Sequence, residues 1–264
     1  MATFGFIGTG NMGSALASAA AKVLPGEEIL LSNRTPEKAE ALARELGCKA
    51  VSVEETAKNS RFLFLGVKPQ GLEALLKQIA PLLPENVILV SMAAGVEMAQ
   101  VRKAVGKALP VIRIMPNTPV SVGSGVILYD ATENVAAGEL ALFCGCMERA
   151  GLLDRLEEKL MDAGTAVAGC GPAFACLFLE ALADGGVVCG LPREKALRYA
   201  AHMLEGTAKL LLETGKHPGV LKDAVCSPGG STIAGVRALE EGSFRAAAIS
   251  AVEAAYSRTK ALGK

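Results

Sequence analysis

Along the first 155 residues, short unbroken apolar runs alternate with amphipathic stretches. Phe4–Ile7, Glu28–Leu31, Ala50–Ser52, Phe62–Val67, Val87–Met92, Val111–Met115 and Ser124–Tyr129 read as strands, being short apolar runs bounded by turn residues. Phe62–Val67 is apolar throughout and is expected near the centre of a sheet. Ser14–Val23, Leu72–Leu83 and Val96–Val105 carry helical spacing, and Thr35 followed by Pro36 marks the start of another helix. This alternation predicts a doubly wound, mostly parallel α/β sheet. After about Arg155 the strand patterns stop. Ala/Leu-rich helical sequence follows, with expected breaks at Gly169–Pro172, Gly185–Pro192, Thr214–Val220 and Ser227–Gly230. The predicted organisation is an α/β domain over residues 1–155 and an all-α domain over 156–264.

The junction between the first strand and the first helix carries the clearest chemistry. Gly8-Thr9-Gly10-Asn11-Met12-Gly13 is a Gly-x-Gly-x-x-Gly turn between an apolar run and an alanine-rich helix. Such a turn suits a dinucleotide pyrophosphate: Gly8 permits the bend, Gly10 admits the phosphates, and Gly13 lets helix and strand pack closely. The first domain is therefore expected to be a Rossmann domain. Where NAD-binding versions carry an acidic residue at the end of the second strand, this chain reads Ser32-Asn33-Arg34-Thr35. A guanidinium with amide and hydroxyl neighbours suits a ribose 2′-phosphate, so NADPH is the expected cofactor, with NADH use left open. Val67-Lys68-Pro69, Ala93-Ala94 and Asn117 end later strands on the same sheet edge and are expected to complete the cofactor site together with Asn11 and Met12.

Composition narrows the remaining classes. The 27 basic and 27 acidic residues balance, without the basic bias of a nucleic-acid binder or a membrane-surface protein. Cysteines at 48, 144, 146, 170, 176, 189 and 226 form no Cys-x-x-Cys, and their odd number argues for a reducing compartment; the cytoplasm is expected. With two histidines a metal site is not expected. Met1 runs straight into the first strand, which leaves no room for a signal peptide. The uncharged stretch Ala163–Leu179 has the length of a membrane span, but its glycines and Pro172 suggest a helix pair buried in protein. At 51% hydrophobic residues, the chain has more apolar side chains than its helical third can hide, which points to an obligate oligomer.

A second glycine cluster lies far downstream, at Val225-Cys226-Ser227-Pro228-Gly229-Gly230-Ser231-Thr232. It reads as a turn opening a helix, where free backbone N–H groups attract an anion. The dinucleotide already has its place on the first strand, so this second site points to a small carboxylate substrate. Together with Gly8–Gly13, Val67-Lys68-Pro69, Met115-Pro116-Asn117-Thr118-Pro119 and Gly169-Cys170-Gly171-Pro172-Ala173-Phe174, the cluster resembles pyrroline-5-carboxylate reductase over essentially the whole chain. The resemblance implies a helical C-terminal domain that dimerises, with assembly to larger oligomers open, and reduction of a cyclic imino acid to L-proline by NAD(P)H. Cys170 and Phe174 depart from the family's usual Gly-Ser-Gly-Pro-Ala-Tyr, and Cys226 stands where serine is frequent.

The implied reaction needs a hydride, a carboxylate anchor and a proton for nitrogen. Val225, Ser227, Gly229, Gly230, Ser231 and Thr232 are expected to bind the substrate, with Thr232 orienting the ring nitrogen. A threonine hydroxyl is too weak an acid to donate unaided, so catalysis is expected to rest on positioning. His202, His217, Glu180, Asp184 and Cys226 are each read as structural or surface groups. Two other readings share the same start: a β-hydroxyacid dehydrogenase, which would use a helix lysine absent from Gly171–Glu180, and a non-catalytic NADPH-binding regulator.

Overall fold

The computed structural model describes residues 1–263. The chain runs β1 (Ala2–Ile7), α1 (Asn11–Ala20), β2 (Ile29–Ser32), α2 (Pro36–Leu46), β3 (Lys49–Ala50), α3 (Val53–Asn59), β4 (Ser60–Leu65), α4 (Pro69–Ile79), β5 (Ile88–Ser91), α5 (Met98–Val105), β6 (Val111–Pro116), β7 (Gly125–Ala131), α6 (Ala137–Met147) and β8 (Gly151–Arg155). Helices α7 (Met161–Gly164), α8 (Gly171–Val188), α9 (Arg193–Thr214), α10 (Pro218–Ala224), α11 (Ser231–Glu241) and α12 (Phe244–Leu262) follow.

The strands form one sheet in the order β3-β2-β1-β4-β5-β6-β7-β8, parallel except where β7 runs against β6. The order reverses beside β1, which creates the crevice where α/β sheets of this kind bind ligands. Register explains the core on one face. Phe4 pairs with Phe62 and Phe6 with Phe64, so four rings project from the same side of neighbouring strands. Phe6 and Phe64 stack at 4.3 Å, Phe4 meets Phe62 edge-on at 5.4 Å, and Phe143 of α6 covers them. All five are fully buried, each worth roughly 2–3 kcal/mol in burial alone. On the other face Ile7, Leu63, Leu65, Leu89 and Val111 pack under Leu72 and Leu76 of α4 and Val101 of α5.

The chain divides into two compact units: Met1–Cys170 together with the chain from Ala254 on, and Gly171–Glu253. The expected boundary at 155/156 thus differs from the compact units. Residues 156–170 stay with the sheet, and the chain returns to it at the end. Asp162 of α7 explains the first part, since it holds the buried Arg113 of β6 at 2.8 Å.

The expectation of a buried helix pair over Ala163–Leu179 is corrected. Helical structure continues from Glu158 to Val188, through a π-helical turn at Thr165–Gly169, and little of its most apolar window is buried within the chain. By length and composition alone this is the one helical run among the described residues apolar enough to span a bilayer. Gly169–Pro172 does not break it, and neither does Gly185; the helix stops before Gly190, which adopts φ +93°. Within the second unit α8 packs along α9, where a Cβ on Gly186 would come within 3.0 Å of Ala196.

Candidate active site

The predicted cofactor residues lie at the C-terminal ends of β1, β2, β4, β5 and β6, within the sheet-containing unit. Gly8 holds φ +103°, donates its N–H to Ser32 O at 2.8 Å, and passes so close to Gly66 that a Cβ would overlap the Gly66 carbonyl. A Cβ on Gly13 would strike the Gly8 carbonyl, so this glycine is needed for helix-to-turn packing. Beside Gly10 the space is open, with no atom within 4 Å of a would-be Cβ. Helix α1 starts at Asn11, directly on the turn and three residues before the expected Ser14. No side chain caps it and its first turn holds no acid, so the N–H groups of Asn11, Met12 and Gly13 are left for an anion. The buried Thr9 hydroxyl next to them has no partner among the described residues. An open glycine, an uncapped helix start and an orphaned hydroxyl fit a bound dinucleotide pyrophosphate.

The residues after β2 divide by role. Ser32 departs from its expected cofactor contact: it is buried, and its hydroxyl donates to Phe6 O at 3.2 Å, so its side chain braces the turn. The Asn33 carbonyl oxygen accepts from Thr9 N at 3.4 Å and its amide donates to Thr35 O at 3.2 Å. Arg34 is exposed and, among the described residues, has no acidic partner. It is the side chain of this set free to grip a 2′-phosphate.

On the later strand ends, Lys68 is exposed and unpaired among the described residues, preceding Pro69 at the start of α4. Val67 and Ala94 are half-buried. Ala93 departs from expectation in being sealed into the core under α4 and α5, which leaves its backbone alone for a ligand. Asn117 does so too. It is buried; its amide donates to Ala168 O at 2.9 Å and its carbonyl accepts from Val126 N at 2.8 Å. Pro172 has no N–H to give the carbonyl four residues back, and that carbonyl is Ala168. Asn117 supplies the missing donor.

Arg113 was not singled out by sequence. It is almost fully buried and contacts Asp162 at 2.8 Å and Glu158 at 3.3 Å, while Glu158 also accepts the Met98 N–H at 2.7 Å. Its Nε and the hydroxyl of the register-paired Ser91 are both buried without partners. The sequence signal was one charge inside the otherwise apolar run Val111–Met115.

The predicted carboxylate-binding residues lie in the turn between α10 and α11, within the second unit. Gly229 adopts φ +70°, Gly230 N–H returns to Ser227 O at 3.0 Å, and extended Gly230 leads into Ser231 at the first position of α11. As at α1, no side chain caps the helix and its first turn has no acid. Val225, Ser227, Gly229, Ser231 and Thr232 are exposed on their own unit, Gly230 half-buried, and among the described residues no hydrogen bond engages the three hydroxyls. The remaining candidates have structural explanations. His217 caps α10 by accepting from Gly219 N at 3.1 Å, exposed His202 faces Glu205 at 3.6 Å, and Asp184 pairs with Arg193. No metal-binding cluster of His, Cys, Asp or Glu occurs among the described residues.

Fold and glycine turn together define a nicotinamide-nucleotide oxidoreductase, whose helical part holds a second uncapped helix start behind a glycine turn. Residues 158–262 match the family model described as pyrroline-5-carboxylate reductase dimerisation, and residues 3–95 one described as NADP oxidoreductase, coenzyme F420-dependent. The chain is 39% identical to pyrroline-5-carboxylate reductase of Escherichia coli over 98% of both chains. It is 42% identical to pyrroline-5-carboxylate reductase 2 of Bos taurus over 98% of this chain and 83% of that one. Its fold matches the Plasmodium falciparum pyrroline carboxylate reductase solved with NADP bound at TM-score 0.91, with 32% identity, over 100% of this chain and 98% of that one. The chain belongs to the pyrroline-5-carboxylate reductase family. It is an NAD(P)H-dependent oxidoreductase, and its C-terminal part carries the family's dimerisation domain.

Proposed function

We propose that this chain reduces 1-pyrroline-5-carboxylate to L-proline as a cytoplasmic homodimer, open to further assembly, with NADPH preferred over NADH. The observation that carries the reading is the uncapped start of α11 behind Ser227–Gly230, a second cradle for negative charge in a chain whose α1 already serves the dinucleotide.

Bound NADPH supplies a hydride to the imine carbon. The N–H groups at Gly230, Ser231 and Thr232 and the Ser227 hydroxyl hold the substrate carboxylate. The Thr232 hydroxyl hydrogen-bonds the ring nitrogen and fixes the face presented for reduction. A cyclic imine enters already protonated or takes its proton from water through that hydroxyl, so the nitrogen ends as the secondary amine of proline. Asn11, Met12 and Gly13 hold the pyrophosphate, Arg34 the 2′-phosphate, and Val67, Lys68, Pro69 and the Ala93-Ala94 backbone line the rest of the cofactor. Asn117 sets the wall by fixing Ala168. Following NADPH absorbance with the cyclic imino acid and, separately, with 3-hydroxy acids plus NADP tests the assignment. Consumption is expected with the imine alone; turnover of hydroxy acids instead would overturn it.

A further inference from the structure

The chain's last turn packs against the loop that leaves β5. Gly95, at the tip of that loop, holds φ +75°. A Cβ there would lie 2.5 Å from the Thr259 carbonyl oxygen and 2.8 Å from the Gly263 N, and a Cβ on Gly263 would overlap the Gly95 carbonyl. Backbone therefore lies directly on backbone, with no room for a side chain on either strand of the contact.

Gln100 ties the two together. Its amide donates to Gly263 O at 3.0 Å, while its own carbonyl accepts the Glu97 N–H at 2.8 Å. One side chain thus fixes both the start of α5 and the end of α12. Thr259 is buried at the contact, its hydroxyl turned back to Ala255 O at 2.9 Å. Leu262 and Gly263 continue along a groove of about 560 Å³ between α4 and α5, floored by Leu72, Leu76 and Val101. These are all residues of the sheet-containing unit, to which the chain returns at Ala254.

The loop so held is Ala93-Ala94-Gly95. A short loop with a left-handed glycine at its tip and few side chains of its own is the kind of segment that opens locally unless something covers it. The last turn is that cover. We propose that Thr259–Gly263 is a positioning element for the cofactor: it pre-orders the loop after β5 and so sets the affinity for NADPH. The inference rests on the assignment of Ala93-Ala94 as cofactor contacts made above.

Three variants of the full chain test it. Deleting residues after Arg258 removes the cover. Gln100→Glu keeps the acceptor for Glu97 N–H but replaces the donor to Gly263 O by a charge, and it serves if the truncation does not fold. Ala94→Asp places a charge within the loop itself. NADPH Kd is read from the nicotinamide's fluorescence, with amide exchange at Ala94–Val96 and the KM for the cyclic imino acid. Both tail variants are expected to raise NADPH Kd about three- to tenfold and speed loop exchange, because the loop must then be ordered on binding. The KM for the imino acid stays unchanged and kcat recovers at saturating NADPH, a split that general loss of stability does not give. An NADPH Kd within twofold of the parent in both tail variants overturns the inference. If Ala94→Asp still weakens NADPH in that case, only the role of the tail is lost. If it too has no effect, the cofactor assignment of the loop is what failed.

Discussion

At the scale of single residues, two side chains carry separable parts of the proposed chemistry, and a third serves the fold beneath it. Thr232 has a hydroxyl unengaged among the described residues, at the second position of α11. Thr232→Ala is expected to lower turnover of the imino acid by roughly tenfold or more, with NADPH affinity nearly intact; unchanged steady-state kcat would make it a bystander. Arg34 is exposed after β2 and is the proposed contact for a 2′-phosphate. Arg34→Asp should raise the KM for NADPH far more than that for NADH, since the new carboxylate repels the phosphate and suits a hydroxyl. Equal losses for both nucleotides would dismiss the reading. Asn117 is different in kind, because both ends of its amide serve the fold. Asn117→Ala strands the Ala168 carbonyl and the Val126 N–H, and urea denaturation should register a loss of about 2–4 kcal/mol.

At the scale of elements, what sequence could show depended on whether one local rule decided the outcome. The strands were legible because both faces are covered, so Phe62–Leu65 and Ile88–Val90 are apolar at consecutive positions. The Gly8–Gly13 turn was legible because sterics leave only glycine at Gly8 and Gly13. Strand β8 was not: it reads Gly-Leu-Leu-Asp-Arg at the sheet's edge, half-exposed, with no pattern to mark it. The helix through Gly169–Pro172 was also missed, because its survival depends on a distant residue. The π-helical turn lets Cys170 N reach Thr165 O, and Asn117 takes the carbonyl that Pro172 cannot serve. A proline that would end an isolated helix is tolerated here by a donor 51 residues away in sequence. Of the candidate site, the two glycine segments were legible as turns that open helices, whereas the inward positions of Ser32, Ala93 and Asn117 depend on packing that sequence spacing does not encode.

At the scale of the whole molecule, the second unit leaves large apolar side chains uncovered within one chain. Leu177 is 69% exposed, Val188 88% and Leu212 82%. They fall within the dimerisation match at residues 158–262. Association then contributes to folding stability, so the thermal midpoint should rise with protein concentration over a hundredfold range. Leu177→Asp should shift sedimentation toward the monomer and lower that midpoint; a concentration-independent midpoint for the parent protein would argue against coupled assembly.

Because the chain leaves the sheet-containing unit at Cys170 and re-enters it at Ala254, no single cut of the gene yields that unit whole. A fragment ending at residue 170 would lack the strip that lies on Gly95. Only a variant that joins that strip back to residue 170 in place of 171–253 keeps the whole of the sheet-containing unit on one chain.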